Sequence, residues 1–259
     1  MGFLADRATV IAAYAVELYR QGLPAQAGNI ENEVVFILDG VGGFQFTPLL
    51  IRRVFRDIQE APGTVMFRWQ FGLPGEIWTD LMWASRNRRK ARELSLTIAG
   101  FRATNKSARI HVVAFSGGCG LAVWACEGLQ ERLVDTLVLA APAVHPEYNM
   151  AAALRTVERC YALVSPRDRW ILGLGTTLFG TTDRRFSSSA GRLGFRRPAG
   201  LSSADSAAYD RLHEIRWSPE LRSFGHSGGH TGWAQPEFLR EHLLPLLRGT
   251  PRLPTHKVP

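Results

Sequence analysis

The chain has 259 residues, a formal net charge of +8 and 46% hydrophobic residues. The hydrophobic fraction excludes a disordered polar chain, and the length suits one domain, which we predict over residues 1–259. The positive charge permits contact with polyanions, but the basic residues are spread along the chain without a recognition signature. We therefore expect no nucleic-acid partner.

The first thirty residues predict a helical extension, residues 1–30. Asp6 is placed to cap a helix, apolar residues follow at helical spacing, and Gly22 and Pro24 end it. The uncharged stretch inside it is too short to cross a bilayer and lacks the charged leader of a signal peptide, so no transmembrane segment is expected.

The three cysteines are odd in number and follow no spacing pattern, which predicts neither a disulfide framework nor a zinc motif. Unpaired cysteines and the absence of a clear signal peptide favour a cytoplasmic location. The oligomeric state is left open. The cysteines are Cys119, Cys126 and Cys160.

Five apolar runs predict strands, and their nearly continuous apolar character is typical of strands covered on both faces. Helical stretches separate them, so we predict an α/β fold with a doubly wound, mostly parallel sheet of about six strands and helices on both faces. Residues 172–223 predict a long loop region near the active site, with "LHEIRW" inside it as a weak strand candidate. The predicted strands are 34–38, 64–69, 109–115, 135–142 and 159–166, and the helices are 50–59, 85–102, 120–129 and 236–247.

Ser116 in "AFSGG" is the candidate nucleophile. A serine on a sharp strand–turn–helix junction needs small residues two positions before and after it, and Ala114 and Gly118 meet that need. Gly117 is then placed to offer its backbone N–H to an oxyanion at the start of the next helix. The alternative is a turn serine or a helix cap. Cys119, just beyond the turn, is expected to pack inside the helix.

The turn "DGVGGF" follows the first predicted strand and offers a second oxyanion donor, the backbone N–H of Val41. Glycines on both sides of Val41 allow close backbone approach. A phosphate-binding loop is the alternative, although the turn lacks both the G-x-G-x-x-G spacing and the lysine of a P-loop.

His230 in "GHSGGHTGW" is the candidate base, since it precedes the closing helix by a few residues. His226 is the competitor and is expected to line the pocket or to bond structurally. A zinc pair at this spacing would need a helix, which the intervening glycines disfavour, so no metal is expected.

Asp168 in "SPRD" is the candidate carboxylate. It lies just past an apolar strand, where its side chain would reach the same sheet edge as Ser116. A turn aspartate satisfied by local N–H groups is the alternative interpretation. Asp183 in "GTTDRR" is the competing acid, although no clear strand precedes it.

The chain order Ser116, Asp168, His230 is the order of the α/β-hydrolase arrangement. With "DGVGG", "AFSGG", "SPRD" and "GHTGW", residues 33–247 resemble the α/β-hydrolase superfamily, in its compact serine esterase and lipase type. The resemblance implies an oxyanion loop, a nucleophile elbow, an acid loop and a histidine loop, and no metal or organic cofactor.

The chain departs from that family in three places. Asp39 stands where many members carry His before Gly, Ala114 replaces the first glycine of the elbow, and no strand precedes residue 34. The gap after Pro142 is also too short for a large lid domain. Aromatic and histidine side chains are expected to shape the substrate pocket, and these are Phe44, Trp69, Phe71, Trp170, His226 and Trp233.

These residues predict a carboxylic-ester hydrolase that works through an acyl-enzyme on a small-molecule or lipid-like ester. Thioesterase, lipase and acyltransferase activities on the same residues stay open. A non-catalytic binding protein that retains the fold is the alternative from a different class.

Overall fold

The computed structural model of the protein describes residues 25–42, 45–71 and 77–259. The helix predicted within residues 6–22 lies outside the described residues. Residues 25–30, predicted as part of the helical extension, are not helical but contain a short edge strand, β1 (Gln26–Ala27), which pairs antiparallel with residues 64 and 65. The prediction that no strand precedes residue 34 was therefore wrong, because a two-residue edge strand is too short to produce an apolar pattern.

The predicted sheet is confirmed. After β1, the strands are β2 (Glu33–Leu38), β3 (Gly63–Met66), β4 (Arg109–Phe115), β5 (Val134–Ala140), β6 (Val157–Val164), β7 (Leu212–Arg216) and β8 (His256–Lys257). Six parallel strands form the centre of the sheet in the order β3-β2-β4-β5-β6-β7, and β1 and β8 add an antiparallel strand at each edge. The chain runs outward from β2 to β3 and then back past β2 to β4, and this reversal of direction lets helices cover both faces of the sheet.

The two faces of the sheet contact two separate cores. Val34, Phe36 and Leu38 of β2 point into one core, while Val35 and Ile37 point into the other. Side chains of a strand alternate between faces, so a run that is apolar at every position can fill both cores.

The helices are α1 (Phe46–Arg56), α2 (Ile77–Met82), α3 (Ala84–Thr104), α4 (Gly118–Glu127), α5 (Ala151–Arg155), α6 (Thr176–Phe179), α7 (Ala190–Leu193) and α8 (Ser203–Ala208). A closing helical run joins Pro236–Phe238, Leu239–Leu243 and Leu244–Leu247. Helices α3 and α4 cover the first core, and helix α1 with the closing helical run covers the second. Residues 141–156, between β5 and β6, contain only the five-residue helix α5.

Residues 172–223, predicted as a long loop, contain short helical segments and the strand β7. Gly180 and Gly194 end two of these segments with a positive φ that favours glycine, so no single long helix forms. The buried carboxylate of Glu214 on β7 accepts the backbone N–H of Phe195 at 2.5 Å, which ties the region to the sheet.

Among the residues described, no helix has both the length and the apolar character that crossing a bilayer requires.

Candidate active site

The carboxyl edge of the parallel sheet brings together the loops that follow β2, β4 and β6. Ser116 comes directly after β4, and Asp168 lies in the loop after β6. In open α/β sheets this edge is where ligands bind, because the strand ends leave a crevice between diverging loops.

Ser116 occupies a strained turn. Its φ of 52° lies in the left-handed region that a non-glycine residue adopts only at a cost of about 1–3 kcal/mol. Three backbone hydrogen bonds hold it there: its N–H donates to Ala140 O at 2.9 Å, and its carbonyl accepts from Cys119 N and Ala143 N. The strain therefore persists because the surrounding backbone fixes the turn.

Ser116, His230 and Asp168 form one hydrogen-bonded chain. Ser116 Oγ is 3.0 Å from His230 Nε2, and His230 Nδ1 is 2.6 Å from Asp168 Oδ2. The other carboxylate oxygen, Oδ1, accepts the backbone N–H of Leu172 at 3.3 Å. With the neutral imidazole protonated at Nδ1, Nε2 is free to accept the hydroxyl proton.

One contact fixes the loop that carries His230, and a second contacts its imidazole ring. The hydroxyl of Ser165, at the end of β6, donates to Gly228 O at 2.6 Å and fixes the loop two residues before His230. The ring of Phe115 lies 4.9 Å from the imidazole, centroid to centroid. Sequence reasoning missed Ser165, although its place between β6 and Asp168 was a usable signal.

His226 is buried beneath the same loop. Its Nδ1 accepts the backbone N–H of Gly228 at 3.1 Å, and its ring packs edge-on against Trp233 at 4.2 Å. Burial lowers the pKa of His226 to about 4, so the side chain is neutral near neutral pH. Its position under the loop favours a structural role over a place in the substrate pocket.

The backbone N–H groups of Gly117 and Val41 lie on adjacent turns. A Cβ on Gly117 would lie 2.8 Å from Val41 Cγ1, so the two turns are in close contact. Within the described part of the chain, neither N–H has a hydrogen-bond partner. Gly117 also directly precedes helix α4, whose N-terminus favours negative charge.

The turn that carries Val41 is fixed at its start by Asp39. The buried carboxylate accepts Phe46 N–H at 2.6 Å and Thr47 N–H at 3.2 Å, at the beginning of helix α1. Burial raises the pKa of Asp39 above its usual range. The indole of Trp69 donates to Asp39 O at 2.8 Å. Asp39 thus links the turn to helix α1.

Two further side chains fix the turn on either side of Val41. The Gln70 amide donates to Gly40 O at 2.7 Å, and Asp80 Oδ2 accepts Gly42 N–H at 2.9 Å. Both residues follow β3, far from the turn in sequence. No local pattern marked them, because their role depends on how β3 pairs with β2.

The side chains predicted to line the pocket differ in burial: some are buried and others are exposed. Trp69 is buried beside Gly117, and Trp233 is buried against His226. Trp170 is 80% exposed, and Phe71 is also exposed. Phe44 lies outside the described residues.

Asp183, the competing acid, and Cys119, the thiol next to the elbow, both form hydrogen bonds with groups other than His230. Asp183 Oδ1 accepts the backbone N–H of His145 at 2.9 Å. Cys119 is buried in α4, its Sγ donates to Ala114 O at 3.3 Å, and burial raises its pKa well above the ordinary value. The structure therefore places Asp168, not Asp183, against His230.

No group of three or more histidine, cysteine, aspartate or glutamate side chains suited to a metal ion occurs among the described residues.

Gly118 is required by the close approach of α4 to the end of β2, and we predict that Gly118→Ala destabilises the fold. A Cβ there would overlap the carbonyl oxygen of Asp39 and lie 3.1 Å from Leu38 Cβ. Backbone must then move, which costs about 1–3 kcal/mol of unfolding free energy. Urea unfolding measures the change.

The matched control is Gly100→Ala on the exposed side of α3, where an added Cβ meets nothing within 4 Å. There alanine is expected to stabilise the helix by up to about 1 kcal/mol. Equal unfolding midpoints for the two variants would contradict the close approach at Gly118.

No family model and no curated protein matches the chain. Solved structures to which the chain is similar include the following three. A cutinase-like protein from Cryptococcus sp. has 12% identity and a TM-score of 0.41, over 84% of this chain and 96% of that one. Esterase Pf2001 of Pyrococcus furiosus has 13% identity and a TM-score of 0.44, over 82% and 83%. Est1E from Butyrivibrio proteoclasticus has 11% identity and a TM-score of 0.43, over 88% and 91%.

Proposed function

We propose that the protein is a serine hydrolase that cleaves carboxylic esters through an acyl-enzyme intermediate. The observation that carries the proposal is the hydrogen-bonded chain in which His230 Nε2 lies 3.0 Å from Ser116 Oγ and Nδ1 lies 2.6 Å from Asp168 Oδ2. A hydroxyl becomes nucleophilic when a base within hydrogen-bonding distance takes its proton as the bond to carbon forms.

In the first half of the reaction, Ser116 Oγ attacks the ester carbonyl and its proton moves to His230 Nε2. The carbonyl oxygen becomes an oxyanion that accepts the N–H groups of Gly117 and Val41. Asp168 stabilises the imidazolium and keeps Nε2 directed at the serine. The imidazolium then gives its proton to the leaving alkoxide, and the alcohol departs from an acyl-Ser116.

In the second half, water replaces the alcohol. His230 takes a proton from the water, the hydroxide adds to the acyl carbonyl, and the same two N–H groups hold the oxyanion. Collapse returns the proton to Ser116 Oγ and releases the carboxylic acid. No electron transfer occurs in this cycle, and every proton moves through His230.

Gln70 and Asp80 support the proposed oxyanion site by fixing the turn on both sides of Val41. An oxyanion donor must be in place before the charge develops, because reorganisation during the reaction would forfeit the stabilisation. Thioesters and acyl transfer to alcohols use the same groups, and the proposal takes esters and water as the simplest donor and acceptor.

Covalent labelling tests the proposal. We expect a fluorophosphonate to modify the folded protein once, with peptide mass mapping placing the adduct on Ser116, because phosphonylation mimics the tetrahedral adduct. Protein unfolded in urea serves as the control and is expected to resist the probe. Absence of labelling of the folded protein, or labelling at other residues only, would refute the proposed nucleophile.

A further inference from the structure

The large apolar side chains that are exposed to solvent are concentrated in two segments. Among the described residues, all of them except Leu96 lie either at Phe71 and 77–83 or in 170–193. Trp170 is 80% exposed, Phe186 64% and Leu178 58%. Exposed apolar side chains scattered singly are ordinary, whereas a concentrated set indicates a surface that contacts another apolar phase.

The two segments touch each other beside the candidate active site. The Arg184 guanidinium donates to Leu81 O at 3.5 Å and lies 3.0 Å from Met82 Sδ, which joins the segments. Thr182 Oγ1 donates to Gly117 O at 3.2 Å, next to Ser116. We call the exposed surface of these two segments, Phe71 with 77–83 and 170–193, the rim.

The rim is also cationic. Arg167, Arg169 and Arg185 are exposed on it or directly beside it. Of the three acids in residues 77–83 and 167–193, Asp80 is buried, Asp168 is buried against His230, and Asp183 accepts a backbone N–H. A surface of aromatic and aliphatic side chains among arginines matches an anionic lipid layer, in which acyl chains meet a plane of phosphates.

We propose that the rim binds the surface of an anionic phospholipid bilayer and holds the Ser116 site against it. The apolar side chains enter the region between headgroups and acyl chains, and the arginines contact phosphates. That the esters to be cleaved are lipids of this surface rests on the proposed function, whereas binding itself does not depend on it.

Vesicle co-sedimentation tests the proposal, with phosphatidylcholine vesicles prepared with or without phosphatidylglycerol. Ser116→Ala is measured alongside the wild type, so that lipid cleavage cannot alter the vesicles. We expect both proteins to bind the phosphatidylglycerol vesicles. The double variant Leu178→Ser/Phe186→Ser is expected to lose affinity on the order of tenfold or more. Leu96→Ser, 74% exposed on α3, is the matched control and is expected to bind like the wild type.

A second pair of variants tests the charge. Arg185→Gln is expected to weaken binding to phosphatidylglycerol vesicles. Arg56→Gln is not, because Arg56 ends α1 at the opposite edge of the sheet. The double variant is expected to hydrolyse a water-soluble p-nitrophenyl ester at the wild-type rate.

Three outcomes would overturn the proposal: no binding by the wild type, undiminished binding by the double variant, or binding indifferent to phosphatidylglycerol. Self-association that the double variant abolishes, without vesicle binding, would assign the rim to a second copy of the chain. If the wild type bound vesicles but hydrolysed no ester, the proposed function would be refuted and membrane binding would stand. The two proposals can therefore fail separately.

Discussion

Replacement of Ser116 by alanine is expected to lower kcat for a p-nitrophenyl ester by about 10⁶-fold, because the proposed acyl-enzyme cannot form without Oγ. The residual rate would come from the oxyanion donors and substrate binding, which by themselves accelerate hydrolysis about 10³–10⁴-fold over water. Alanine takes the same φ as serine at a similar cost, and the hydrogen bonds that fix the turn come from backbone atoms. The fold and the unfolding midpoint should therefore be unchanged.

The matched control for this prediction is Ser95→Ala. Ser95 is also buried, but it lies on α3 near Gly128, at the far end of α4 from Ser116. Loss of the Ser95 hydroxyl is expected to leave kcat within about twofold of the wild-type value. Steady-state kinetics and the fluorophosphonate reaction check both variants together. Undiminished turnover by Ser116→Ala would refute the mechanism.

The central sheet was predictable from the sequence because its signal is local. Each strand buried on both faces is apolar at nearly every position, and β4 lies at 109–115 as predicted. Helix 85–102 extends only slightly, to Ala84–Thr104. The edge strands β1 and β8 have two residues each, too few to produce a pattern.

Chain order carried most of the information about the candidate site. Loops after parallel strands meet at one edge of the sheet, so Ser116 and Asp168 were expected there together. The structure brings both into hydrogen-bonding distance of His230. Gln70 and Asp80 had no such signal, since their partners are backbone atoms that only tertiary pairing brings near.

Burial of aromatic side chains was the least predictable feature. Trp69, Trp170 and Trp233 were all assigned to the pocket, but Trp170 is exposed on the rim and the other two are buried. A tryptophan contributes the same apolar surface in a core, in a pocket or at a lipid interface, and the local sequence does not distinguish these places.

Replacement of Asp168 by asparagine is expected to lower kcat by about 10⁴-fold at neutral pH with little change in KM, because the amide imposes the wrong histidine tautomer. In the wild type, the Leu172 N–H donates to Asp168 Oδ1, so in the variant the amide oxygen of asparagine is expected at that position. The NH₂ group then occupies the place of Oδ2 and donates to His230 Nδ1. This moves the ring proton to Nε2, which can no longer accept the proton of Ser116.

Asp183→Asn is the matched control, because the amide oxygen can still accept the N–H of His145 in place of the carboxylate. We expect its kcat to stay within a few-fold of the wild type, and both variants to unfold at urea concentrations close to the wild-type midpoint. Fluorophosphonate labelling should slow in parallel with turnover for Asp168→Asn alone, since both reactions need His230 as the base. Equal losses in the two variants, or a loss confined to Asp183→Asn, would contradict the role of Asp168. The hydrogen bond to Leu172 thus makes the effect specific to position 168: a backbone donor fixes which oxygen of the carboxylate faces the histidine, and with it the tautomer that the serine meets.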